Sequence, residues 1–74
     1  MRTRTIGRYK LKPHAALELR AYGVHITHRD TGVQWLLEAD VDSMAACEAA
    51  LDRLTIADVE RMTASAKPLQ FPEE

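Results

Sequence analysis

The sequence predicts a small α+β domain: an antiparallel sheet of three to four strands followed by two short helices packed on one face. Three observations lead there. Apolar and polar residues alternate in the first half, the period of strands. In the second half apolar residues recur three and four apart, the period of helices. A chain of 74 residues has room for one domain, placed at 1–67, with an extended tail at 68–74.

The first strand is carried by Tyr9 and Leu11, which alternate with Lys10 and Lys12. Pro13 has no backbone donor and biases Lys12 toward extended geometry, so this strand is expected to end there or to lie at a sheet edge. Residues 14–22 have two readings. Leu17, Leu19 and Ala21 alternate with Glu18 and Arg20, which favours a strand. Ala15, Leu19 and Tyr22 at i, i+4 and i+7 suit a short helix begun by Pro13 and stopped by Gly23. The strand is preferred.

The strongest local signal is a hairpin. Two β-rich runs, near 23–29 and 33–38, flank Asp30-Thr31-Gly32. Aspartate can hold the turn backbone, and glycine accepts the positive φ of a three-residue hairpin loop. Val24 and Ile26 then share a face, as do Val33, Trp35 and Leu37, and the two sets meet in one buried layer. Trp35 is assigned to the core.

Two helix starts follow. Asp42 or Ser43 can cap the first, which puts Met44, Cys47, Leu51 and Leu54 on one face. Thr55-x-x-Asp58 reads as a capping box for the second, with the carboxylate in the first turn where the helix dipole favours it. Its apolar stripe is Ile56, Val59 and Met62, and Lys67-Pro68 ends it. The prolines of the tail keep it extended, and Leu69 and Phe71 would be out of place on a fully solvated end.

The charges are sorted along the chain. Residues 1–29 hold seven basic residues against one acid, and residues 30–74 hold three against ten, which leaves a net charge of −1. The strand-forming part is therefore basic and the helical part acidic.

Chemistry of the usual kinds finds little support. His25-x-x-His28 suggests a metal, but residues three apart on a strand point to opposite faces, and no paired ligand motif accompanies them. Cys47 falls on an apolar helical stripe, where a thiol is an inert small hydrophobe. The acids form no recognisable acid/base constellation, and Gly7, Gly23 and Gly32 are too far apart to make a phosphate loop. The chain is therefore not expected to be an enzyme or to hold a cofactor or metal. No run approaches the ~20 apolar residues of a membrane span, and the Arg- and Thr-containing start does not read as a secretory signal, so a soluble cytoplasmic protein is expected.

Two binding functions are left. The first is a protein-binding domain that occludes or assembles a partner. Its expected contacts are the helical acids Glu48, Asp52 and Glu60, which can steer the protein onto a basic target, with Leu69 and Phe71 as apolar anchors. A core this small gains from self-association, so a homodimer is expected. The alternative is a nucleic-acid-binding module built on Arg2, Arg4, Arg8, Lys10 and Lys12, with Tyr9 stacking on a base. Helix 55–66 is a poor reading helix, because Asp58 and Glu60 repel phosphate. In size and layout the chain resembles the small accessory proteins of bacteriophages, including inhibitors of bacterial defence systems of the anti-CRISPR type. That resemblance implies a compact α+β inhibitor that blocks a larger complex by covering a binding surface.

Overall fold

The computed structural model describes residues 3–16, 18 and 21–69. Four strands, β1 (Arg4–Ile6), β2 (Tyr9–Ala16), β3 (Ala21–His28) and β4 (Gln34–Ala39), precede two helices, α1 (Met44–Asp52) and α2 (Ile56–Ser65). The sheet is an antiparallel meander in the order β1-β2-β3-β4. The expected α+β architecture is what the chain adopts.

Register follows from alternation. Leu11 lies opposite Ile26, which lies opposite Trp35, and Pro13, Val24 and Leu37 form the next row. These residues share one face, and α1 and α2 close it. Leu11, Val24, Ile26, Leu51 and Val59 form the buried cluster, with Ile6, Tyr9, Trp35, Leu37, Leu54 and Met62 packed around it. Val33, expected in this layer, is instead exposed beside the turn, because β4 begins only at Gln34.

The β3–β4 hairpin forms as its turn residues predict. His28 N–H donates to Val33 O at 2.8 Å and Gly32 N–H to His28 O at 2.9 Å. Gly32 has φ +76°, where a side chain would be strained. His28 adds to the turn, its Nδ1 accepting from the backbone of Asp30 and Thr31.

Pro13 does not end its strand, and β2 runs on to Ala16. Pairing with β1 stops at Arg4 opposite Leu11, so Pro13 lies beyond that partner and its missing donor leaves no gap in the ladder. Residues 14–16 and 21–22 pair as strands, with His14 opposite Gly23 and Ala15 opposite Tyr22. The helical alternative for 14–22 is thereby set aside at those positions, while Leu17, Leu19 and Arg20 lie outside the described residues.

Both helix caps are as expected. Ser43 Oγ accepts from Ala46 N–H at the start of α1. Thr55 and Asp58 form a reciprocal capping box at α2, with bonds of 3.0 and 3.2 Å. These contacts hold Asp58 below the usual aspartate range: the Thr55 backbone N–H is the main cause, followed by the Thr55 hydroxyl and the Arg61 guanidinium. Helix α2 ends at Ser65, before Lys67-Pro68. The chain then reaches back to the sheet, where Leu69 N–H donates to Gln34 O at 2.7 Å.

Candidate binding surface

Alternation sends the other half of each strand to the opposite side of the sheet. Thr5, Lys10, Thr27 and Gln34 form one row there, Lys12, His25 and Leu36 the next, and His14, Gly23 and Glu38 the third. None of the described elements covers this face. Lys10, Lys12, His14, Leu36 and Glu38 are exposed. Two shallow depressions mark it. One, of about 240 Å³, is lined by Thr3, Lys10, Lys12, His25 and Thr27. The other, of about 260 Å³, lies over Gly23 between His14, Leu36 and Glu38. Gly23 is constrained by close approach, since a Cβ there would stand 2.5 Å from Leu37 O. His25 Nε2 donates to Gln34 Oε1 at 2.7 Å and so fixes both side chains.

The basic N-terminal segment is divided among different tasks. Arg4 lies on the covered side, where its Nη1 donates to Leu51 O at 2.7 Å and to Leu54 O at 2.8 Å. These carbonyls lie at the end of α1 and in the turn that follows it; Leu51 O also accepts from Leu54 N–H at 3.3 Å, and the cation adds hydrogen bonds and a favourable charge at the negative end of the helix dipole. Arg8 pairs with Asp30 across the two turns at 3.2 Å. Tyr9 faces the core side, edge-on to His28 with centroids 5.2 Å apart and tilted against Trp35 at 6.3 Å. Lys10 and Lys12 alone of the described members reach the uncovered face, and Arg2 lies outside the described residues. No described aromatic side chain stands on that face for a base to stack on, because Tyr9, Tyr22 and Trp35 all fall on the covered register.

The helical acids do not share one neighbourhood. Glu48 and Asp52 lie one turn apart on α1, Glu48 half-buried and Asp52 exposed. Glu60 belongs to α2 and lines a different depression with Gly7, Arg8, Tyr9, His28 and Ile56. Leu69 is 38% exposed and tied by its backbone to β4. Phe71 lies outside the described residues.

Cys47 is fully buried, and its Sγ donates to Gly23 O at 3.1 Å. His25 and His28 point to opposite faces, and among the described residues no group of three or more His, Cys, Asp or Glu converges to hold a metal ion. Trp35 Nε1 is buried with no hydrogen-bond partner among the described residues, a cost of about 1–3 kcal/mol. No described helix is long and apolar enough to cross a membrane.

Sequence reasoning missed the uncovered face as a unit. The signal lies in the residues that alternate with the core set, which the sequence does not by itself align into one face. No family model matches this chain, and no curated protein or solved structure matches it.

Proposed function

We propose that this chain is a non-enzymatic protein-binding domain that covers a surface on its partner, and that it does so with the uncovered sheet face. The observation that carries this reading is the make-up of that face: Lys10, Lys12 and His25 beside an exposed Leu36, on a rigid four-stranded support. Such a surface fits a partner that presents carboxylates around an apolar contact, with charge guiding encounter and Leu36 adding desolvated area. The helical acids Glu48, Asp52 and Glu60 take a secondary part in this reading.

The test is affinity capture from the native host with wild-type bait and two variants. Leu36→Asp with Lys12→Glu should lose the partner, while Glu48→Lys with Asp52→Lys should retain it. The reverse pattern would return the site to the helices, and no loss in either would end both versions.

A second reading has one observation in its favour. Lys10, Lys12, His25 and the threonines around them form a basic depression able to take a phosphate. Nucleic acid binding would then rest on Lys10 and Lys12 and fall steeply with salt. A fluorescent single-stranded oligonucleotide that does not bind at low salt would dispose of it.

A further inference from the structure

β4 is an edge strand, and among the described residues only Leu69 bonds to its outward backbone. Two bonds fix which residues point outward. Val33 O accepts from His28 and so faces β3, while Gln34 O accepts from Leu69 on the far side. Alternation then turns the N–H and C=O of Leu36 and Glu38 away from the sheet. The same edge gathers exposed apolar surface: of the four exposed large hydrophobics among the described residues, Val33, Leu36 and Leu69 lie on or against β4. An open, apolar edge is a template for another strand.

We infer that this edge pairs antiparallel with β4 of a second copy of the chain, in the register that sets Leu36 opposite Leu36 of its mate. Charge and hydrogen bonding select that register. Only residues of the outward set can exchange bonds across the new seam. An axis between two of them, at Trp35 or Leu37, would set Leu36 against Gln34 or against a Glu38 carboxylate and lose the apolar pair, which leaves an axis at Gln34, Leu36 or Glu38. An axis at Glu38 would set two carboxylates face to face, which is destabilising. An axis at Gln34 would put the central bonds of the seam on the carbonyl that Leu69 occupies and would part the two Leu36 side chains, whereas an axis at Leu36 meets that carbonyl only at the ends of the seam. With the axis at Leu36, the apolar side chains meet and each Glu38 faces the mate's Gln34. The Gln34 Oε1 is engaged by His25, which leaves the amide N–H groups to donate to that carboxylate. A parallel pairing of the same edge would turn the mate over and send the two Leu36 side chains to opposite faces, so that the apolar contact is lost. The product is a sheet of twice the width, with the two uncovered faces side by side.

The tail is a built-in competitor. In the paired edge, the mate's Glu38 N–H seeks Gln34 O, the carbonyl to which Leu69 N–H is bound. Leu69 thus guards one end of the edge, as natural sheets guard theirs against unwanted pairing. Pairing through the edge shares Leu36 with the face proposed for the partner, and Leu69→Pro, which leaves that face unchanged, tells the two apart.

Sedimentation equilibrium of the full-length chain over a dilution series tests the inference. The mass should rise from 8.3 kDa toward twice that value with concentration. Leu69→Pro removes the competing donor from both copies and should tighten pairing about thirtyfold, the equivalent of two neutral hydrogen bonds. Leu36→Lys, at an exposed position, should abolish pairing while leaving the melting temperature at high dilution, where both chains are monomers, unchanged. Hydrogen exchange gives a readout free of substitutions: the Leu36 and Glu38 amides should slow as concentration rises. A chain that is monomeric both as wild type and as Leu69→Pro, with those amides equally fast at every concentration, overturns the inference. Undiminished pairing in Leu36→Lys overturns it as well.

Discussion

The two faces of the sheet are made by the same strands and differ in everything else. On one, Leu11 and Ile26 are fully buried under α1 and α2. On the other, one residue along, Lys10, Lys12 and Leu36 meet solvent. In a sheet covered on one side, alternation lets neighbouring residues answer to different demands. The covered face sets stability, and the uncovered face is free to be chosen for binding. Substitutions can break or sharpen that division.

The largest effect should come from the covered face. Ile26→Ala removes a fully buried side chain at the centre of the cluster and should cost about 2–5 kcal/mol, measured by urea unfolding. A loss below ~1 kcal/mol would mean that this face is not the core. Next comes Arg4→Met, which keeps the apolar stem but takes the guanidinium from Leu54 O and from Leu51 O, the latter keeping its bond from Leu54 N–H. It should cost about 1–3 kcal/mol on the same assay, the range for a buried polar group left unpaired. Thr55→Ala removes the α2 cap and should cost about 1 kcal/mol.

The pH dependence of the α2 cap follows from Asp58. Its carboxyl sits below the usual aspartate range when folded. Its contribution is therefore fully present above the ordinary aspartate value and is lost as pH falls through the depressed folded value. Amide shifts of residues 56–59 should report the cap opening in that acidic window, and Asp58→Asn should flatten the response. The smallest effect belongs to the uncovered face. Lys12→Glu should leave stability within about 0.5 kcal/mol of wild type, while changing what the protein binds. A loss comparable to that of Ile26→Ala would erase the distinction between the faces.

What the sequence revealed divides along similar lines. Features set by neighbours in the chain were legible. Asp30-Thr31-Gly32 announced its hairpin, Thr55 and Asp58 their capping box, and the alternation around Ile26 its buried layer. Features set across the chain were not. Arg4 reads as one more member of a basic run, and only folding brings it to the end of α1, 47 residues away at Leu51. Pro13 reads either as a strand end or as an edge position, and which of the two holds depends on where β1 stops. Tyr9 reads as a stacking residue because its neighbours are Arg8 and Lys10, yet the strand period turns it the other way. The candidate site was therefore half legible: Lys10 and Lys12 were singled out, whereas His25 and Leu36 joined them only once the register was known.

The buried thiol of Cys47, the chain's single cysteine, gives the molecule a clock of its own. It is held under α1 with its proton directed at Gly23 O, so an alkylating reagent reaches it only when that helix lifts from the strands. Reaction rates at rising reagent concentration would time those departures directly, with no label introduced. If the rate follows the global unfolding constant, helix and sheet come apart as one unit. If it runs faster, α1 leaves first, and the interval between the two rates measures how loosely the lid is latched.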